Sequence, residues 1–241
     1  MHFLKLFSTL LIFSIFMQVK AQYTYKPVVV LELFTSQGCS SCPIADELLE
    51  ELKETYAQED VFVLSYHVDY WNRLGWKDPF SQKAFSDYQS RYATAFRSRN
   101  IYTPQLVVNG TTEFVGGNKL RALETIKKYQ TGNAANTVDL QVISKKDNEI
   151  EVNFKVAGMD FKNLTLAVVV AERTTNIPRG ENRNRTLKNA NIVAVRNVIQ
   201  TPKGTAKLSL PDWITDKDTL SVVAYTQDAQ LEITGASRLS I

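Results

Sequence analysis

Cysteine and histidine are almost missing from this 241-residue chain: Cys39, Cys42, His2 and His67 are all there is. A closed zinc site built from paired thiolates needs a second C-x-x-C, and none exists. Beyond the first residues, no run is apolar enough to span a bilayer. An arginine–lysine stripe interleaved with aromatics is lacking, which sets nucleic acid aside as a partner. Internal repeats and low-complexity tracts are lacking too. Charge of one sign is also scarce. The formal net charge of +3 falls when residues 1–21, with Lys5 and Lys20, are set apart, leaving 26 basic against 25 acidic side chains.

Those first residues read as a secretory signal peptide. Lys5 gives a weakly positive start, Leu6 to Met17 is apolar, and Val19-Lys20-Ala21 offers a small-residue cleavage site before Gln22. With no cysteine at the cleavage site, lipoprotein attachment is not expected. The expected location is periplasmic or extracellular. The 220 residues that follow suit one large or two small domains.

What the chain does have is concentrated in Phe34-Thr-Ser-Gln-Gly-Cys-Ser-Ser-Cys-Pro43. The apolar, β-branched run Val28 to Phe34 reads as a buried strand before it. Ile44, Leu48, Leu49, Leu52 and Tyr56 recur at helical spacing after it, with carboxylates on the other face. A strand, a C-x-x-C loop and a helix form the context in which two thiols exchange electrons, and a helix amino terminus lowers a thiol pKa. A bridge across two residues closes so small a loop that it stabilises little, which favours chemistry over stapling.

Asp60 to His67 reads as a second buried strand, parallel to the first. His67 to Phe80 then forms a long aromatic loop that leaves the same edge of the sheet, where ligands gather in open α/β sheets. Asp78-Pro79 reads as a helix start, followed by the stripe Phe85, Tyr88, Tyr92 and Phe96. Asn109-Gly110 between two strand-like runs signals a hairpin, and Leu120, Leu123, Ile126 and Tyr129 mark another helix. This order is the thioredoxin arrangement. In it, Thr103-Pro104 stands where a cis proline faces the dithiol. After the small polar stretch Thr131 to Thr137, seven short strand-like runs suggest an antiparallel sandwich. The expectation is an α/β thioredoxin-like domain, residues 24–131, followed by an all-β sandwich-like domain, residues 137–241.

The motif around Cys39 and Cys42, His67-Val-Asp-Tyr-Trp71 with Gly75-Trp-Lys-Asp-Pro-Phe80, Tyr102-Thr-Pro-Gln105 and Arg179-Gly-Glu-Asn182 together resemble a secreted bacterial thioredoxin-like family of unassigned function. The resemblance runs from about Val28 to near the carboxyl terminus and implies a thioredoxin-like fold with a β-rich extension. It brings no substrate with it.

The expected activity is thiol–disulfide exchange on an exported protein or a small thiol. Cys39 is the candidate nucleophile and Cys42 the resolving thiol. Pro104 with Thr103 would shape the substrate site, and His67 would assist with a proton, oriented by Asp69. Trp71 and Trp76, with Tyr70 and Phe80, are candidates for a peptide groove, and packing is the competing account. No cofactor is needed, because the dithiol carries both electrons. Two rivals stay open: a binding protein with a structural Cys39–Cys42 bridge, and a Cu(I) carrier using Cys39, Cys42 and His67. The polar segment Arg179 to Lys188 reads as a solvated turn, with binding of an anionic group or a partner as its alternative.

Overall fold

The computed structural model describes residues 24–241; the expected signal peptide lies outside them. The first half contains β1 (Val29–Thr35), α1 (Pro43–Thr55), β2 (Val61–His67), α2 (Lys83–Ala95), β3 (Gln105–Val108), β4 (Thr112–Val115) and α3 (Lys119–Gln130). The second half is all strand: β5 (Asn136–Lys146), β6 (Glu149–Gly158), β7 (Asn163–Asn176), β8 (Thr186–Ile199), β9 (Lys203–Ser209), β10 (Leu220–Gln227) and β11 (Ile233–Ser240). Each of the seven apolar runs of that half falls on one of these strands.

Their assembly corrects the expected fold class. A thioredoxin-like α/β domain followed by a separate sandwich is not found. One eight-stranded mixed sheet, in the order β11-β10-β7-β8-β2-β1-β3-β4, runs through both halves of the chain. The physical reason lies at β2. Its outer edge pairs in parallel with β8, Ser65 opposite Ile192. Ser65 Oγ donates to Ala190 O at 3.1 Å, and Asn191 Nδ2 donates to Val63 O at 2.9 Å. Pairing the edge satisfies backbone groups that an independent first domain would leave open. Only β5, β6 and β9 remain as a second, three-stranded antiparallel sheet. Ile150, Val152, Phe154 and Leu208 of that sheet pack on Leu166, Val168 and Val222 of the large one.

β1 and β2 are buried at every residue, as strands covered on both faces must be. Val30, Phe34, Phe62, Leu64 and Tyr66 meet Phe85, Tyr88 and Tyr92 of α2 on one face. Val29, Leu31, Leu33, Val61 and Val63 meet Leu48, Leu49 and Leu52 of α1 and Ile126 of α3 on the other. Truncating one of these, Leu52→Ala for example, costs about 2–5 kcal/mol. The hairpin turn forms at Asn109-Gly110, both at positive φ (47° and 71°). Asn109 also stitches β1, its Oδ1 accepting from Val30 N at 2.7 Å and its Nδ2 donating to Val28 O at 2.9 Å.

Two local expectations shift. On α1, Ile44 is 66 % exposed and Asp46 only 4 %, so a carboxylate takes a core position beside the apolar stripe. Helix α2 begins at Lys83 after an extended Gln82 rather than at Asp78-Pro79, because the Asp78 carboxylate is used elsewhere. No helix of the described residues is long and apolar enough to cross a membrane.

Candidate functional site

The parallel strands β1 and β2 end side by side, with Thr35 opposite His67, so the loops leaving their carboxyl ends meet. The first loop turns twice, Cys39 N donating to Ser36 O at 3.1 Å and Cys42 N to Cys39 O at 3.2 Å, and enters α1 at Pro43. Cys39 and Cys42 are joined in a disulfide, their Cα atoms 5.4 Å apart. Cys42 is the N-cap and Pro43 opens the helix, so the bridge lies against the positive end of the α1 dipole. Ser40 and Ser41 are exposed, yet both cysteines have 0 % exposure.

Beneath the bridge is a buried polar cluster. Asp78 Oδ2 accepts from Gln37 N at 2.8 Å and lies 2.7 Å from His67 Nδ1, while its Oδ1 accepts from Phe80 N at 2.9 Å. Asp46 sits one helical turn after Cys42, its N–H donating to Cys42 O at 3.0 Å. Thr35 Oγ1 donates to Asp46 Oδ2 at 3.2 Å, and Gln37 Nε2 donates to Asn189 Oδ1 at 2.9 Å. The Asn189 side chain stands beside the Asp46 carboxylate and stabilises its charge. Among the described residues His67 Nε2 is buried with no hydrogen-bond partner. Unsatisfied polar atoms of this kind cost about 1–3 kcal/mol each, and a fold keeps them where they have other work.

The electrostatics follow from burial. Desolvation pushes the Asp46 carboxyl from 3.8 up to about 7, with the Asp78 charge adding to it, and the His67 charge and the hydrogen bonds of Thr35 and Asn189 only partly offset this. Burial pulls His67 down, but the charge and hydrogen bond of Asp78, with the charge of Asp46, outweigh it and hold the ring above the usual histidine range. A carboxyl that binds a proton near neutrality thus belongs to the residue one helical turn after Cys42.

The aromatic loop wraps the same site. Trp71 Nε1 donates to Thr103 Oγ1 at 2.8 Å, and Trp71 Cβ lies close against Gly38, so this side chain spans the cysteine loop and the Thr103–Pro104 segment. The Thr103–Pro104 bond is cis. Trp76 Nε1 donates to Gln37 Oε1 at 3.2 Å. Both tryptophans are half-buried supports of the cysteine loop. From the second half of the chain, Asn182 Nδ2 donates to Gln37 O and Cys39 O, and Glu181 Oε2 accepts from Ser40 N.

The structure therefore brings Cys39, Cys42, His67, Trp71, Trp76, Thr103 and Pro104 to one region. His67 is oriented by Asp78 rather than Asp69, which instead accepts from Ser86 Oγ at 2.5 Å. Asp46 and Asn189 escaped the sequence reading, and Asp78 and Asn182 stood inside quoted motifs without a role at the site. The one signal for Asp46 was its place four residues after Cys42. Among the described residues no group of three or more His, Cys, Asp or Glu is placed to hold a metal ion, and the thiolates a Cu(I) carrier would use are joined in the bridge.

Fold and site together define a mixed-sheet protein with a C-x-x-C disulfide closed over a buried acid–histidine–acid cluster. A family model described as Protein of unknown function (DUF1223) matches residues 30–227. The chain belongs to that family. A crystal structure of an Agrobacterium tumefaciens protein from a structural-genomics programme is similar, with 30 % identity and a TM-score of 0.64 over 91 % of this chain and 96 % of that one. The β-glucuronidase of Ruminococcus gnavus in complex with D-glucuronic acid aligns over 46 % of this chain and 16 % of its own at 11 % identity; its TM-score of 0.28 carries no argument. No curated protein gives a significant match.

Proposed function

We propose that this is an exported thiol–disulfide exchange protein that works through Cys39 and Cys42 on an exported protein or a small thiol. The observation that carries the reading is the disulfide at the amino terminus of α1, with the buried carboxyl of Asp46 on the residue one helical turn after Cys42 and held well above its ordinary range by burial. A structural bridge needs no such neighbour, whereas exchange has to move a proton each time the pair opens or closes.

The steps follow from the positions. A substrate thiolate attacks Cys39 Sγ, a bond forms between the two sulfurs, and the Cys39–Cys42 bond breaks with its electron pair on Cys42. The proton of Asp46 passes to the Cys42 thiolate, leaving Asp46 ionised beside His67. A second substrate thiolate then attacks the substrate sulfur of the mixed disulfide. A substrate disulfide forms, and Cys39 leaves with the electron pair and takes a proton, so the pair ends reduced. In the opposite direction the reduced Cys39 thiolate attacks a substrate disulfide and one substrate thiol leaves. Cys42 then gives its proton to Asp46, bonds to Cys39 and releases the second thiol. His67 and Asp78 set how tightly Asp46 holds that proton. The leader-like residues 1–21 support export, where such pairs work on secreted proteins.

Cys42→Ser tests this directly. Its free Cys39 thiolate is expected to attack disulfide-bonded substrates, displace one of their thiols and stay joined to the other as a mixed disulfide, visible on non-reducing gels and released by reductant, while Cys39→Ser traps none. Complete burial of both cysteines favours a second reading, a binding protein whose bridge is structural. In that case both serine variants keep their partner and neither forms a covalent adduct.

A further inference from the structure

Asn182 lies in the loop joining β7 and β8, yet it is fully buried. Its Nδ2 donates to Gln37 O and to Cys39 O, each at 2.9 Å, and its Oδ1 accepts from Arg185 Nη1 at 2.9 Å. Next to it, the exposed Glu181 accepts from Ser40 N at 3.1 Å. The loop thus holds three main-chain groups around Cys39: the carbonyls of residues 37 and 39 and the amide of residue 40. Gly180, at φ 79°, lets the loop come this near, since a Cβ there would lie 3.2 Å from Trp76 Cβ. Neither cysteine has exposed surface. A buried sulfur gives an incoming thiolate no approach along the S–S axis, so Cys39 has to shift for exchange, and the contacts that pin its main chain on both sides are those of Asn182 and Glu181.

The chemistry of the two contacts says what can lift it. A carboxamide N–H given to backbone carbonyls and an oxygen receiving a backbone N–H are what an extended polypeptide supplies from its own main chain. Such a chain can replace the contacts of Asn182 and Glu181 as it displaces them. A thiol as short as glutathione, with two amide bonds and one of those through a side chain, cannot span all three main-chain groups at once.

We propose that Glu181 and Asn182 hold the place of a substrate main chain, and that exchange begins when an extended cysteine-containing polypeptide displaces them. This rests on the exchange reading above and narrows its substrate to a polypeptide rather than a small thiol. The polypeptide thiolate then bonds to Cys39 Sγ, the Cys39–Cys42 bond breaks, and Cys42 takes the electron pair and a proton.

The test uses the oxidised full chain and two probes of matched thiol pKa: glutathione, and an unstructured ten-residue peptide with one cysteine. Mixed-disulfide formation is followed by mass spectrometry in the wild type, Asn182→Ala and Glu181→Ala, the last being a surface change that leaves the core untouched. In the wild type the peptide is expected to react at least about tenfold faster than glutathione, as replacing two or three hydrogen bonds permits. Asn182→Ala should raise the glutathione rate about tenfold and bring the ratio of the two rates toward one, with Glu181→Ala moving it the same way by less. Equal rates for the two probes in the wild type, or a ratio that neither variant changes, overturn the place-holder while leaving exchange intact. If neither probe forms a mixed disulfide with any of the three proteins, the exchange reading itself falls and takes the place-holder with it.

Discussion

Two carboxyl groups are buried on opposite faces of the central sheet, and they are treated differently. Glu32 of β1 faces α2 and has every oxygen occupied. Tyr88 and Tyr225 hydroxyls donate to its Oε1 at 3.0 and 2.9 Å, and Tyr92 donates to its Oε2. Gln227 Nε2 donates to Tyr88 and Tyr92, and the Arg196 guanidinium stands 3.7 Å over the Tyr88 ring. Only outlying atoms, Gln227 Oε1 and Arg196 Nε, lack partners there. Asp46, on the α1 side one helical turn after Cys42, has only the Thr35 hydroxyl and the Asn189 side chain for partners, and His67 Nε2 in the same cluster has none among the described residues. Burial raises both carboxyls. The first cluster ties α2 to β1, β8 and β10, and so fastens the two halves of the chain. The second leaves polar capacity open near the Cys39–Cys42 bridge. A satisfied cluster holds a fold together, whereas an unsatisfied one at a strand-end loop marks a site.

The comparison can be broken by mutation. The largest stability effect is expected at the hub: Asp78→Ala strands the Gln37 and Phe80 amides and His67, and should cost about 3–5 kcal/mol in denaturant unfolding. Asp46→Asn should slow exchange about a hundredfold, as loss of a positioned acid–base group does, without destabilising the fold at pH 8. Glu32→Gln should do the reverse, costing about 1–3 kcal/mol by disturbing the hydroxyl network while exchange rates stay within about twofold of wild type. If both variants lose stability and rate together, the contrast between the clusters is wrong.

The pH dependence sharpens it. Asp46 titrates near 7 in the fold and near 3.8 when unfolded, so the native state holds the extra proton between those values. Its contribution to stability is therefore lost as pH rises from about 4 through 7. His67, raised above its ordinary value, acts in the same direction at higher pH: its stabilisation is full below 6.5 and lost as pH rises through its folded pKa. Asp46→Asn should consequently be more stable than the wild type at pH 8 and lose that advantage by pH 4. Glu32 is also raised, but its titration should leave the exchange rate untouched. The smallest effect is expected for Trp71→Phe, which loses the hydrogen bond to Thr103 at about 1 kcal/mol.

Much of this was legible in local sequence. Strand positions, the helix entry at Pro43, the Asn109-Gly110 turn and the cysteine loop all follow from residue type and spacing. The docking of β8 on β2 was not, because strand runs show that a segment pairs without naming its neighbour. Nor were Asp46 and Asp78. A carboxylate on an amphipathic helix reads as solvent-facing, and Asp-Pro reads as a cap, until His67 is brought beside both. Asn182 stood in a quoted motif, but in a polar, charged loop its spacing did not show that its side chain turns inward.

The most direct test is the equilibrium reduction potential of the Cys39–Cys42 pair, measured in glutathione buffers together with the Cys39 thiol pKa. Exchange predicts a potential between roughly −120 and −270 mV and a thiol pKa below about 7.5. A potential below about −300 mV with an unreactive thiol would make the bridge structural and contradict the account.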